Sequence, residues 1–337
     1  MRRVVPEDSR EECLMNPFIG TLEAVWESPT CVWINSEVVA GIAEKIAGES
    51  FPTPAWREEV FPTDDLAFLD FIGVGNAINF AFTDFETHQS FSVQYKQTLW
   101  RGAFAMWACL RRALDRGVDL FSGEYLSRVS VQDVGEIFAG ESAIPMLQER
   151  RAILNEVGTV LSELFDGRFR NVFLNGQAIA FGSDGLVNRL VDSFPSFRDE
   201  SVHRATGALL KFQKRAQLMA MMYQGRAVSS GLLRGLRDFA DIGPIADYSV
   251  PRALHSTGIL QYAPELEARI LSRQLIEKDS VAEQEIRAQT VKAQVVLLAA
   301  INRLRSSPVT FIELDYKLWT MGRGAKSPHH LTITTAY

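Results

Sequence analysis

The residues with the clearest chemical potential lie between positions 193 and 223, where charged side chains follow aromatic ones. The stretch SFPSFRDES places Asp199 beside Phe197 and Arg198, and Lys214 follows further along. A carboxylate held among aromatic rings can stabilise a transient cation. If a helix begins just after Phe197, Asp199 lies in its first turn and Lys214 lies about four turns later on the same element. This pattern fits either a pocket flanked by both groups, or a capping Asp199 with a Lys214 that extends into solvent.

Two later segments combine acidic and aromatic side chains in a similar way. Asp247 and Tyr248 precede a proline in ADYSVP, and Asp315 lies near Trp319 in ELDYKLW. Taken alone, each pattern is more typical of a structural role, with Trp319 in the core and Asp315 solvated. These residues gain weight as site candidates only in combination.

Common catalytic and metal-binding motifs are absent from the sequence. It contains no Walker A motif, no HExxH and no GxSxG. The three cysteines have no CxxC spacing, and His329 and His330 have no ligand partner at metal-binding spacing, which favours a polar tail there. We therefore expect neither a metal nor another cofactor. Glu285 and Arg287 are expected on the surface of a predicted helix.

Helical periodicity dominates the elements that must position these residues. Apolar residues recur at three- and four-residue steps, which predicts helices with one buried face. The predicted helices cover 97–116, 146–165, 204–223 and 282–304. Short β-branched or aromatic runs predict strands at 31–35, 90–95 and 331–337. The expected fold class is mainly α, a multi-helix globular fold with a few short β-strands.

The chain shows no linker, so we expect a single domain over 1–337, with 1–95 as a possible N-terminal lobe and 96–337 as the helical core. The net charge of −6 makes nucleic acid an unlikely partner and favours a small molecule. No apolar run approaches the roughly 20 residues that a membrane span needs, so no membrane contact is expected. Unpaired cysteines favour a cytoplasmic location. The oligomeric state stays open.

An ordered series of motifs across most of the chain resembles the queuosine salvage family of queuosine 5′-phosphate N-glycosylase/hydrolase proteins. The segments that carry the resemblance are VWINSEVV at 32–39, NAINFAF at 76–82, ERRAILNEVG at 149–158, SFPSFRDE at 193–200, FQKRAQLM at 212–219, ADYSVPRAL at 246–254, EIRA at 285–288, LDYKLW at 314–319 and HHLTITTAY at 329–337. The resemblance implies a fold related to helix-hairpin-helix DNA glycosylases and hydrolysis of a nucleotide to the free base queuine. It maps family residues onto Asp199, Lys214 and Asp247.

This resemblance assigns expected roles within the site. Breaking an N-glycosidic bond builds positive charge on the sugar, so we expect Asp199 to stabilise the oxocarbenium-like transition state and orient water, with Lys214 as its catalytic companion. The expected substrate-binding residues are Asn76, Asn79, Phe80, Phe197, Arg198, Asp247, Tyr248, Asp315, Trp319 and Tyr337. Lys214 or Tyr337 would serve the 5′-phosphate.

The chain also departs from the family pattern. Asn76 and Thr83 stand where that pattern commonly has Asp and Trp, and the tail is poorer in arginine. The exact 7-deazapurine and its phosphate state therefore stay open. Two alternatives from other classes are a non-catalytic protein that binds a modified nucleobase and a glycosylase that acts on nucleic acid.

Overall fold

The computed structural model describes residues 16–337, which contain fourteen α-helices and six short β-strands. The helices are α1 (Glu23–Trp26), α2 (Ser36–Ile46), α3 (Asp65–Ala77), α4 (Ala103–Asp115), α5 (Gly123–Arg128), α6 (Val131–Ile137), α7 (Leu147–Leu164), α8 (Phe169–Leu174), α9 (Leu186–Ser193), α10 (Lys214–Val228), α11 (Ser249–Ser256), α12 (Pro264–Leu271), α13 (Val281–Leu304) and α14 (Phe311–Gly324). The predicted mainly α fold is confirmed. Within the described range, no helix is both long and apolar enough to span a membrane.

The strands form three antiparallel pairs. They are β1 (Val32–Ile34) with β6 (Leu260–Tyr262), β2 (Ser92–Tyr95) with β3 (Thr98–Arg101), and β4 (Glu200–Val202) with β5 (Leu209–Lys211). The strands predicted at 31–35 and 90–95 are confirmed. The strand predicted at 331–337 is wrong, because this segment meets separate backbone partners: Ile276 donates to the Leu331 carbonyl, and Ala81 donates to the Tyr337 carbonyl.

The helices predicted over 146–165 and 282–304 correspond to α7 and α13. The other two predictions start too early, because each covers a strand that precedes the helix. Gly102 and Gln213 have positive φ angles of 58° and 49°, and α4 and α10 begin only after these two residues. Asp199 consequently lies between a 3-10 turn and β4, and the expectation that it shares one helix with Lys214 is wrong.

Two apolar clusters form most of the core. One contains residues from α3, α4, α7 and α10, and the other contains residues from α2, α11, α13 and α14. Trp319 on α14 packs against both clusters. The helices that line the cavity described below therefore belong to both apolar clusters.

Helices α3 and α4 approach each other closely at Gly75. A Cβ atom at this position would lie 1.8 Å from Cζ3 of Trp107, so the backbone of α3 leaves room for the indole ring only because residue 75 is glycine.

Candidate active site

A cavity of about 380 Å³ lies among α4, α10, α11 and α14, and its size is typical of a small-molecule site. Seven of the sequence-predicted site residues line it. They are Asn79, Lys214, Asp247, Tyr248, Asp315, Trp319 and Tyr337. The structure thus brings together residues from widely separated motifs.

Lys214 provides a buried cation in the cavity wall. It is the first residue of α10, is only 4% exposed, and its Nζ lies 3.4 Å from the carbonyl oxygen of Asn79. Burial lowers the pKa of Lys214 to about 8, while Asp247 and, less strongly, Asp315 act in the opposite direction. At neutral pH the lysine therefore carries a positive charge between two acidic residues.

Asp247 is fixed by backbone donors at the start of α11. Its Oδ1 accepts hydrogen bonds from the N–H groups of Ser249 at 2.7 Å and Val250 at 2.8 Å. The positive end of the helix dipole also favours a carboxylate there. These bonds leave Oδ2 without a hydrogen-bond partner among the described residues, and the side chain is only partly buried. Asp247 therefore has a fixed orientation and one oxygen free for a ligand.

Asp315 is held in a different environment on α14. Its side chain is 6% exposed, and Oδ1 has no hydrogen-bond partner among residues 16–337. Burial raises the pKa of Asp315 well above its usual value, and Asp247 raises it further, with partial opposition from Lys214. The cavity thus contains a carboxyl group whose surroundings favour its protonated form.

Aromatic rings line much of the remaining cavity wall. Trp319 stacks with Tyr316 at a centroid distance of 6.0 Å and lies 6.0 Å from Phe104, while Tyr248 lies 4.7 Å from Tyr337. Such ring faces suit a flat heterocyclic base.

Two arginines supply positive charge to another part of the cavity. Arg252 on α11 and Arg323 on α14 both line it. Burial lowers the pKa of each; Arg273 adds to the effect on Arg252, and Tyr316 opposes it for Arg323. Within residues 16–337, no carboxylate acts on the pKa of either arginine. These guanidinium groups are therefore available to an anion such as a phosphate.

Asp199 does not line the cavity. It is 5% exposed, and its two oxygens accept hydrogen bonds from Arg287 at 2.8 and 2.5 Å. Oδ2 also accepts the backbone N–H of Lys214 at 3.1 Å. Asp199 therefore caps α10 from outside that helix, and its charge is compensated by Arg287. The capping interpretation is correct in kind, although the helix it caps begins 15 residues later.

Arg287 connects Asp199 to the cavity wall. Its Nη1 lies 3.7 Å from Oε1 of Glu283, and its Cζ lies 4.5 Å from the ring centre of Tyr337. The Tyr337 hydroxyl donates to Glu283 at 3.0 Å. The expectation that Glu285 and Arg287 lie on the surface is wrong, since each is 2% exposed. The N-terminal half of α13 is enclosed on all sides, so its polar residues are interior.

Four further predicted residues are not brought to the cavity. Asn76 donates to the Ile72 carbonyl and accepts from Asn79. Phe80 and Phe197 are fully buried, and the Arg215 guanidinium lies over both rings. Arg198 is exposed and donates to carbonyls at the end of α9. These residues support the core or a helix end and do not form the cavity surface.

Several cavity residues escaped the sequence analysis. They include Trp56, Phe104, Arg252, Arg323 and His329. His329 was expected in a polar tail, but its Nε2 lies 3.1 Å from the Thr83 hydroxyl, and the neighbouring His330 is buried. Arg252 lies in the ADYSVPRAL motif and His329 in the HHLTITTAY motif, so both segments were available as signals.

Comparisons with known proteins agree on one family. The model of a family described as queuosine salvage protein matches residues 60–337. A protein from Sphaerobacter thermophilus, named queuosine 5′-phosphate N-glycosylase/hydrolase, is 36% identical over 95% of this chain and 97% of its own length. Proteins of the same name from Mus musculus and Schizosaccharomyces pombe are 32% and 30% identical over 92% and 85% of this chain, and 94% and 84% of their own lengths.

Proposed function

The chain belongs to the queuosine salvage protein family, and on that premise we propose that it hydrolyses queuosine 5′-monophosphate to queuine and ribose 5-phosphate. It is then a hydrolase of N-glycosyl bonds, a nucleotide N-glycosidase. The observation that carries this proposal is the cavity itself, where Asp247 and Lys214 meet a set of aromatic rings and two arginines.

We assign to Asp247 the role that the sequence analysis gave to Asp199. As the C1′–N9 bond lengthens, positive charge develops on the ribose, and a carboxylate fixed beside it stabilises that charge. Two backbone hydrogen bonds hold Asp247 in orientation before the substrate arrives. The free Oδ2 can also orient the attacking water and accept its proton. Asp199 cannot do either while Arg287 occupies both its oxygens.

Lys214 supports this arrangement as a charged neighbour of Asp247. Its ammonium group attracts the Asp247 carboxylate electrostatically, as the effect of Asp247 on the pKa of Lys214 indicates. The buried Asp199 has a structural role, because its hydrogen bond from the backbone N–H of Lys214 fixes the start of α10.

The substrate fits the cavity by chemical type. A 7-deazaguanine is planar, so it can stack on Trp319 or Tyr316, and the amine of its side chain is attracted to aromatic faces and carboxylates. The 5′-phosphate would bind Arg252 and Arg323, which have no carboxylate partner among the described residues. This assignment replaces Lys214 and Tyr337 as the phosphate-binding residues. The net charge of −6 supports action on a free nucleotide instead of nucleic acid. The free thiols of Cys31 and Cys109 support a cytoplasmic location.

The direct test is incubation of the purified protein with queuosine 5′-monophosphate and chromatographic measurement of free queuine. We expect base release from the nucleotide and slower release from the nucleoside. Tight binding without release would instead support a binding protein, and release only from an oligonucleotide would support a nucleic-acid glycosylase.

A further inference from the structure

We propose that Asp315 is the general acid that gives a proton to the departing base. This inference rests on the proposed function and adds a catalytic step to it. The role differs from base recognition by an ionised carboxylate, because a proton donor must arrive at the reaction in its neutral form.

The geometry of α14 supports a donor at this position. Asp315 and Trp319 are four residues apart, so both side chains lie on the same face of the helix, and both line the cavity. A base stacked on Trp319 therefore has an edge within reach of Asp315. The Oδ1 atom of Asp315, which has no hydrogen-bond partner within residues 16–337, is a second observation, because buried polar atoms almost always have a hydrogen-bond partner, and a bound ligand would provide one.

The charged groups around Asp315 keep its proton in place. Asp247 faces it from the loop before α11, and Lys214 faces it from the start of α10. Burial and the repulsion from Asp247 together outweigh the attraction of Lys214, so the pKa of Asp315 lies well above the usual range. Two aspartates in one cavity are thereby divided into an acid and a carboxylate.

The leaving group explains why an acid is needed. A 7-deazaguanine has carbon where purines have N7, so that site cannot take a proton. As the C1′–N9 bond breaks, its electron pair goes to the base, and the Asp315 O–H proton moves to a nitrogen or oxygen of that base. Water adds to C1′ and gives its proton to Asp247. The final proton balance is restored when Asp247 releases its proton and Asp315 takes one from solvent.

Two substrates with different leaving groups test this step. Queuosine 5′-monophosphate needs a proton on its base, whereas 4-nitrophenyl β-D-ribofuranoside 5-phosphate releases nitrophenolate without one. For Asp315→Asn we expect kcat to fall about 10²- to 10⁴-fold on the nucleotide and less than about threefold on the nitrophenyl compound. Retained cleavage of the nitrophenyl compound also demonstrates a folded variant. Equal losses on both substrates, or a rise in KM alone, would overturn the proposal.

The wild-type enzyme offers a second test that does not depend on variant folding. The ratio of kcat/KM for the two substrates cancels contributions from Asp247, Lys214 and the phosphate, because both reactions share them. We expect this ratio to fall about tenfold per pH unit once the pH exceeds the pKa of Asp315. A ratio independent of pH up to about pH 10 would refute the role of Asp315. Failure of the wild type to release queuine at all would instead refute the proposed function.

Discussion

Two buried clusters of charge meet at Lys214, and they differ in whether their acidic groups have partners. In the first cluster, Arg287 binds both oxygens of Asp199. In the second, Asp247 has one oxygen and Asp315 has its Oδ1 without a hydrogen-bond partner in the part of the chain that the structure describes. A buried acid is therefore not in itself a sign of catalysis. The missing partner distinguishes the group that can meet a substrate from the group that holds the fold together.

The largest effect is expected from Asp247→Asn. Asparagine keeps the side-chain oxygen that caps α11 but removes the charge, so we expect kcat to fall about 10³-fold with little change in unfolding. Chromatographic measurement of queuine release at saturating substrate gives this number. Asp64→Asn is the matched control, because Asp64 caps α3 on the surface and accepts the Ala67 N–H. A variant that retains a tenth of the wild-type kcat would remove Asp247 from its role.

The next-largest effect is expected in the first cluster, where Asp199 is paired with Arg287. Asp199→Asn removes the carboxylate that accepts two hydrogen bonds from Arg287 and leaves only Glu283, at 3.7 Å, to compensate this buried charge, so we expect the free energy of unfolding in urea to fall by about 3 to 5 kcal/mol. The double variant Asp199→Asn with Arg287→Met should recover part of that loss, since the buried guanidinium is removed as well and Glu283 keeps its hydrogen bond from Tyr337. Per folded molecule, Asp199→Asn should release queuine faster than Asp247→Asn does. Full stability combined with complete inactivity would place Asp199 in the catalytic cluster after all.

A smaller effect is expected at the cationic part of the cavity. Methionine in Arg323→Met keeps an apolar side chain beside Trp319 but removes the charge, so KM for the 5′-monophosphate should rise about 10- to 100-fold. KM for the nucleoside serves as the control and should change little. Parallel changes for both substrates would show that Arg323 shapes the cavity without binding phosphate.

The smallest expected effect is a change in the pH dependence of stability when Asp315 is replaced. A carboxyl group whose pKa is raised in the folded state stabilises the fold fully below its unfolded pKa, and this contribution is lost as the pH rises towards the folded pKa. Asp315→Asn lacks that loss. Its free energy of unfolding relative to wild type should therefore improve by at least about 1 kcal/mol between pH 5 and pH 7. Urea unfolding curves at both pH values provide the measurement, and a constant difference would contradict the raised pKa.

The sequence predicted the composition of the site better than its arrangement. Helical periodicity identified α7 and α13, and the ordered motifs supplied Lys214, Asp247 and Trp319. The role of Asp199 could not be predicted, because its partner Arg287 lies 88 positions away on a helix whose charges suggested a surface. Local patterns report which side chains are available, whereas charge compensation depends on contacts between distant segments.

The glycine behind the cavity has a consequence for the range of bases that the enzyme can accept. Trp107 lines the cavity, and its indole occupies the space left by the missing side chain of Gly75. A methyl group there would force the ring to move, towards the ligand or out of its packing. The shape of this part of the cavity thus depends on Gly75, a residue behind the wall, and redesign of the cavity could start from α3.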